Sequence, residues 1–232
     1  MTMVKDIIKA KRSLILDCDF GTDLYEMIAR DASGLDRVGG YRVGPRVGLA
    51  CGLSKAVENI RKYDSKPIIY EQPGIDTLES GMEFIRALRK AGVDAVIIFP
   101  QAGHEAERVW IEAALERDLG VIIGRPASRH KCLKSEGGYL MDNALLKTAL
   151  NAADSGVRDF AISGSDPAEI MGMRKALQAW GTEPVFYSQD FLEEGGYMTD
   201  LAKAAGNRWH AIIKSYALPD IRKSVLGYAS KL

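Results

Sequence analysis

Short, strand-sized apolar runs alternate with longer segments of helical spacing along the whole chain of 232 residues. Each run is nearly all apolar, which is typical of a parallel strand covered on both faces rather than of a half-exposed antiparallel one. The predicted strands are Ser13–Cys18, Gly40–Val43, Pro67–Tyr70, Ala95–Phe99, Gly120–Ile123, Asp159–Ile162, Pro184–Tyr187 and His210–Ile213.

Helix signals fill the segments between these runs. The Asp-Pro-Ala-Glu sequence at 166–169 predicts a helix start, because Asp caps free amides and Pro suits the first turn. Gly92 and Gly156 each follow a helical segment, where a left-handed residue is favoured. Eight strands with intervening helices predict a single-domain (β/α)8 TIM barrel over residues 1–232, with residues 1–12 as an N-terminal helical extension. An open doubly wound sheet is the rival, but no GxGxxG follows the first strand.

Composition narrows the choice of partners. Lys plus Arg number 31 and Asp plus Glu number 31, so no global field favours nucleic acid or an anionic membrane, and an anion must be recognised locally. The longest apolar runs are too short for a bilayer, and the N-terminus lacks a signal-peptide core, so we expect a cytoplasmic protein. Cys18, Cys51 and Cys132 form no metal-binding motif, and we expect neither a disulfide framework nor a metal site.

Charged residues stand at the ends of the first two predicted strands, where the functional residues of such a barrel lie. Asp17 and Asp19 are two positions apart and therefore predicted to share a face. They are candidates for accepting ligand hydroxyls or joining a charge network, with loop capping as the alternative. Arg42 needs an acid or an anionic ligand inside the barrel, and Asp17 is its natural partner.

Polar residues also follow the third and fifth strands. Glu71 and Asp76 could form an acid pair at the mouth, with Gln72 beside them, although Asp76 is better placed as a helix N-cap. Residues 124–131 contain Arg, His and Lys, with Gly137-Gly138 nearby, and predict either a mobile lid or a solvated charged loop.

The last two strand ends look most like an anion site. Glu194-Gly195-Gly196 follows the seventh strand, and a Gly-Gly pair lets backbone amides approach a phosphate closely. Lys214 and Ser215 end the eighth strand and would supply a positive charge and a hydroxyl donor. Phosphate sites of barrels are often built from these two loops.

In this order the motifs resemble the orotidine 5′-phosphate decarboxylase family over nearly the whole chain. Leu14–Asp17 resembles the family's first strand with its substrate-contacting Asp, and Tyr41–Gly44 resembles its second strand, with Arg42 where the family has Lys. The resemblance implies that Ser128 of Ala127-Ser128 contacts a pyrimidine, that Glu194–Gly196 matches the family's Gln-Gly-Gly, and that Lys214-Ser215 takes the place of its phosphate-binding Gly-Arg.

The family's signature, Asp-x-Lys-x-x-Asp at the end of the third strand, is altered. Aligned on the strand, Tyr70, Gln72 and Ile75 stand at its three places, and the acids Glu71 and Asp76 are one position off. A one-residue offset points a side chain to the opposite face of a strand. No lysine is nearby to protonate a carbanion.

The resemblance implies a carbon–carbon lyase of the decarboxylase type in pyrimidine biosynthesis, acting without a cofactor on a phosphorylated small molecule and assembling as a homodimer. Its charged network would be Asp17, Arg42 and Glu71, with Gln72 and Asp76 nearby. The altered signature supports a second hypothesis, a homologue that binds a nucleotide or sugar phosphate without decarboxylase activity. A third hypothesis is a sugar-phosphate lyase or isomerase that uses Mg²⁺ held by Glu71.

Overall fold

The computed structural model describes residues 5–21, 24–72, 74, 78–124, 131–164, 166–189, 198–215 and 218–232. Its eight parallel strands form a closed barrel in sequential order, with β1 hydrogen bonded to both β2 and β8. This confirms the predicted (β/α)8 fold. The strands are β1 Arg12–Asp17, β2 Val38–Val43, β3 Ile68–Gln72, β4 Ala95–Ile98, β5 Gly120–Ile123, β6 Asp159–Ser163, β7 Val185–Gln189 and β8 Trp209–Ile213.

Helices follow the strands and cover the outside of the barrel. The described residues form α1 Leu24–Ala32, α2 Pro45–Cys51, α3 Leu53–Arg61, α4 Leu78–Lys90, α5 His104–Leu115, α6 Ala144–Asp154, α7 Pro167–Ala179, α8 Met198–Ala205 and α9 Ile221–Ala229. Asp166 caps α7 as predicted, its Oδ1 accepting from the Ala168 amide at 2.8 Å. Gly92 and Gly156 have φ of +84° and +86°, the left-handed conformation expected before β4 and β6.

Alternation along the strands divides the apolar residues into two cores. One face of each strand packs under the helices, and the other fills the barrel interior. The interior cluster comprises Ile8, Ile15, Ile69, Ala95, Ile97, Phe99, Ile122, Ala161, Val185, Tyr187 and Ile212. Because side chains alternate, residues two positions beyond these in a strand face the barrel mouth.

The N-terminal segment is a correction to the sequence analysis. Residues 5–11 are not helical, and β1 begins at Arg12. The segment instead passes beneath the barrel, where Ile8 joins the interior core. Asp6 forms ion pairs with Arg158 and Arg208, which directly precede β6 and β8. The distance from Asp6 Oδ1 to Arg208 Nη1 is 2.6 Å. Pairing with charges on two strands outweighs any local helix preference in so short a segment.

A polar layer lies inside the barrel near the start of the strands. Ser13 Oγ and His210 Nδ1 are 2.8 Å apart, and the Tyr187 hydroxyl donates to Asp159 Oδ1 at 2.8 Å. All four side chains are buried. Burial lowers the pKa of His210 to about 3 and raises that of Asp159 to about 6, because it disfavours each charged form. The apolar interior core separates this layer from the mouth.

Within the described ranges, no helix is both long and apolar enough to cross a membrane. This agrees with the short apolar runs of the sequence.

Glu107 on α5 gives the fold a pH-dependent weakness. Glu107 is only 1% exposed, and among the described residues its carboxylate has no ion pair and no well-formed hydrogen bond, with only the Asn151 side chain nearby. Burial raises the pKa of Glu107 from 4.5 to about 7, and Asn151 on α6 offsets only part of that rise. The folded state therefore holds a proton that the unfolded chain has already released above about pH 4.5.

We expect the free energy of unfolding to fall by about 3 kcal/mol between pH 4.5 and pH 7 from this group alone, since each pKa unit corresponds to about 1.4 kcal/mol. The variant Glu107→Gln should lose this dependence and exceed the wild type in stability at pH 8. Urea unfolding at several pH values measures the difference, with Glu112→Gln on the exposed face of the same helix as the control. Equal pH dependence in wild type and Glu107→Gln would contradict the assignment.

Candidate functional site

A charged network occupies the barrel mouth at the carboxyl ends of β1, β2 and β3. Asp17 and Glu71 lie two residues beyond Ile15 and Ile69 of the interior core, so both side chains point inward. Arg42 lies between them, because β2 is the strand hydrogen bonded to both β1 and β3.

The guanidinium of Arg42 binds both carboxylates. Its Nε and Nη2 donate to Asp17 Oδ1 and Oδ2 at 3.0 and 2.9 Å, a bidentate contact, while Nη1 donates to Glu71 Oε2. The side chains are largely buried, with Asp17 5% exposed and Arg42 and Glu71 16% each. A charge removed from water to this degree needs its partner, and bidentate pairing also fixes the orientation of both groups.

Further contacts hold Asp17. The Asp19 amide donates to Asp17 Oδ1 at 2.9 Å, and the Ser215 hydroxyl donates to the Asp17 carbonyl. Glu71 is less enclosed: within the described residues, no group hydrogen bonds to its Oε1. The network therefore combines a fully engaged carboxylate on β1 with a carboxylate on β3 that keeps one acceptor oxygen.

Asp19 does not line the mouth as the sequence predicted. Its Oδ1 accepts from the Val47 amide at 3.0 Å in the first turn of α2. The carboxylate thus caps α2 from another loop, the alternative that the sequence analysis left open. Gly44 permits this approach, since a Cβ there would lie 2.6 Å from Asp19 Oδ2. β1 ends at Asp17, so strand alternation no longer governs the direction of Asp19.

Ser215 also differs from its predicted role as a phosphate donor. The residue is 1% exposed, and its hydroxyl proton is committed to the Asp17 carbonyl. Ser215 therefore joins the ends of β8 and β1. Lys214 lies two positions beyond Ile212 of the interior core and is half-buried at the mouth, and its role in phosphate binding stays a prediction.

Gln72 also lies in a different place from the one predicted. It lies next to Glu71 in an extended strand, so its side chain points to the opposite face, away from Arg42. Tyr70 shares that outer face and packs edge-on against Phe84 of α4, with ring centroids 5.7 Å apart. Gln72 therefore does not belong to the charged network. Asp76, Ser128, Glu194, Gly195 and Gly196 lie outside the described residues.

Three inward positions of the mouth escaped the sequence analysis. Phe99, Ser163 and Gln189 each lie two residues beyond a member of the interior core, after Ile97, Ala161 and Tyr187. Strand alternation counted from those core residues would have found them. The mouth is therefore charged beside β1–β3 and apolar or neutral beside β4, β6 and β7.

The mouth fits a divalent metal poorly. Arg42 already neutralises part of Asp17 and Glu71 and occupies the space between their carboxylates. No group of three or more His, Cys, Asp or Glu residues in the described chain could hold a metal ion. A cation at Glu71 would have to bind Oε1 while competing with the guanidinium.

Comparisons with known proteins support a single fold. No protein-family model and no curated protein matches the sequence. Among solved structures, the orotidine 5′-monophosphate decarboxylase of Methanocaldococcus jannaschii, complexed with the inhibitor BMP, has a TM-score of 0.81 at 16% identity and covers 96% of this chain and 99% of its own. The chain has the orotidine 5′-monophosphate decarboxylase fold.

Two other archaeal enzymes give the same result. The orotidine 5′-phosphate decarboxylase of Pyrococcus horikoshii OT3 has a TM-score of 0.77 at 17% identity, covering 94% of this chain and 98% of its own. The enzyme of Sulfolobus solfataricus has a TM-score of 0.70 at 13% identity, covering 94% and 99%. The TM-scores establish the fold. Because the identities are this low, the activity has to be argued from the residues of the site.

The structure settles which residue near the end of β3 faces the mouth. Glu71, rather than Tyr70, faces the mouth beside a cation on β2. Moving the alignment by one residue places Glu71 and Asp76 at the two Asp positions of Asp-x-Lys-x-x-Asp and Pro73 at the Lys position. Both acidic places are then filled by acids, and the lysine alone is replaced.

We expect Arg42→Met to destabilise the fold by about 3 kcal/mol, because it leaves the carboxylate of Asp17 buried without a counter-charge. Arg42→Lys should cost less, since it keeps the charge but loses the bidentate contact. Urea unfolding measures both against Arg86→Met, which removes an exposed pair and should change stability by less than about 0.5 kcal/mol. Equal effects at Arg42 and Arg86 would refute the network's role.

Proposed function

We propose that the barrel mouth binds a phosphorylated small molecule, a nucleotide or sugar phosphate, and that the protein is a carbon–carbon lyase of the decarboxylase type. The observation that carries this proposal is the Asp17–Arg42–Glu71 network on the inner face of β1–β3. It lies at the strand ends where barrels of this kind perform chemistry. Enzymes of the same fold are named for a phosphorylated nucleotide substrate.

Phosphate binding is assigned to the β8 side of the mouth. Lys214 would supply the positive charge, and the sequence Gly195-Gly196 before α8 would supply backbone amides. This arrangement puts the phosphate next to β1 in the closed barrel, because β8 pairs with β1. The organic part of the ligand would then reach across the mouth toward Glu71.

Glu71 is the residue to which we assign the chemical step. A substrate carboxylate next to its Oε1 would be repelled, and loss of CO2 would relieve that repulsion in the transition state. Arg42 would hold Glu71 ionised and oriented, and Asp17 would hold Arg42. Loss of CO2 leaves an electron pair on carbon that must receive a proton. Pro73, at the lysine's place, cannot donate one, so the donor must come from elsewhere.

Pro73 supports a second candidate function, a nucleotide- or sugar-phosphate-binding homologue without decarboxylase activity. A proline has no proton to give and no charge to balance a substrate carboxylate. The Mg²⁺-dependent lyase or isomerase receives less support, because Arg42 competes for Glu71. For both the lyase and the binding homologue, we propose that the protein is a cytoplasmic homodimer. We propose further that it uses no cofactor and binds neither nucleic acid nor a membrane.

Ligand binding and turnover by the purified protein separate these functions. Thermal stabilisation by uridine or orotidine 5′-monophosphate measures binding, since a ligand at 100 times its Kd adds about 2.7 kcal/mol. A lyase should release CO2 from orotidine 5′-monophosphate, and Glu71→Gln should lose turnover while still binding. Binding without turnover would identify the second candidate. No stabilisation by either compound would refute a pyrimidine nucleotide as the ligand.

Lys214→Met should weaken binding of uridine 5′-monophosphate by about tenfold, because it removes the cation assigned to the phosphate. Binding of uridine, which lacks the phosphate, should be unchanged. Lys203→Met serves as the matched control, since Lys203 is 80% exposed on α8. An equal loss for uridine and its monophosphate would remove Lys214 from the phosphate site.

A further inference from the structure

A cavity that is broadly open to solvent lies at the opposite end of the barrel from the charged network, where β1, β2 and β8 begin. It has a volume of about 630 Å³, within the usual range for small-molecule sites. It takes no part in the proposed reaction. Its walls are formed by Ala10, Lys11, Arg12, Asp36, Arg37 and Asn207.

Arg12 is held in place at this cavity. Its Nη2 donates to the backbone carbonyls of Ala202 and Gly206 at 3.1 and 2.8 Å, which fixes the plane of the guanidinium. The described residues provide no hydrogen-bond partner for its Nε or Nη1. A guanidinium that is already oriented loses little conformational entropy when its remaining donors bind an anion.

The other two cations, Lys11 and Arg37, lie on backbone that is hydrogen bonded to the barrel strands. The carbonyl of Lys11 accepts from the Trp209 amide at 2.9 Å, and that of Arg37 accepts from the Leu14 amide at 2.8 Å. These bonds continue the β1–β8 and β1–β2 pairings to the rim of the cavity. The backbone around the cavity is therefore hydrogen bonded to the barrel strands, although the side chains of Lys11 and Arg37 are exposed.

The charge of the cavity differs from that of the chain. Three cations and one acid line it, a local excess of +2 in a protein with no net charge. A phosphate monoester carries about −1.5 to −2 at neutral pH and has three acceptor oxygens. Asn207 adds a side-chain amide that can donate to a hydroxyl or phosphate oxygen.

We propose that this cavity binds the phosphate group of a small phosphate monoester, as a second ligand site independent of the barrel mouth. Arg12 binds the phosphate through Nη1, and Lys11 and Arg37 complete the charge. The organic part of the ligand contacts Asn207 and the cavity wall at Ala10.

Nuclear magnetic resonance titration of the whole protein with glycerol 3-phosphate tests the site. Saturable shifts should appear at residues 10–12, 36–37 and 207 and in the Arg12 Nε signal, and they should persist in Lys214→Met, where the phosphate site proposed for the mouth is weakened. Glycerol at the same concentrations should cause none of them.

The double variant Lys11→Ala/Arg37→Ala should weaken this binding by about tenfold or more, because it removes two of the three cations. The control Lys147→Ala/Lys175→Ala removes two exposed lysines from α6 and α7 and should leave it unchanged. Equal weakening by both double variants would reduce the effect to overall charge and overturn the proposal. So would shifts that do not saturate, or tighter binding of a single-stranded RNA with a steep salt dependence.

Discussion

Closure of the eight strands into a barrel is the constraint on which the rest of the structure depends. Once β1 pairs with β8, alternate residues of every strand must face an interior with no access to water except at its two ends. Polar interior residues are therefore confined to layers near those ends. The Ser13–His210 and Tyr187–Asp159 pairs occupy the lower layer, and the Asp17–Arg42–Glu71 network occupies the mouth.

Much of this arrangement follows from the sequence. All eight predicted strands are present within two residues of their predicted ends, because a parallel strand buried on both faces is an apolar run with clear limits. The pairing of Arg42 with Asp17 also follows, since adjacent strands of a closed barrel share a register. Asp19 and Ser215 were misassigned because each lies just past a strand end, where the loop sets the direction of the side chain.

The register of β3 shows how one residue changes a functional conclusion. Sequence comparison placed Tyr70 at an acidic position and left Glu71 on the wrong face. The contacts of Tyr70 with Phe84 and of Glu71 with Arg42 reverse that assignment. A short apolar strand can be shifted by one residue without changing its composition, so only packing decides its faces. With Glu71 on the inner face, the sequence aligned in that register has acids at both Asp positions of the signature and Pro73 in place of its lysine.

The pairing of Asp6 with Arg158 and Arg208 bears on how the chain is made. The partners of Asp6 lie just before β6 and β8, so its ion pairs can form only after Arg158 and Arg208 have been synthesised. The pairing of β1 with β8 likewise joins residues about two hundred positions apart. The entropy lost in bringing these strands together can be offset by their contacts only late in synthesis, when β8 has been made. The cavity lined by Arg12 and Asn207 lies where β1 and β8 meet. A nascent chain that ends before Asn207 therefore lacks this cavity, and its presence distinguishes a closed barrel from such a precursor.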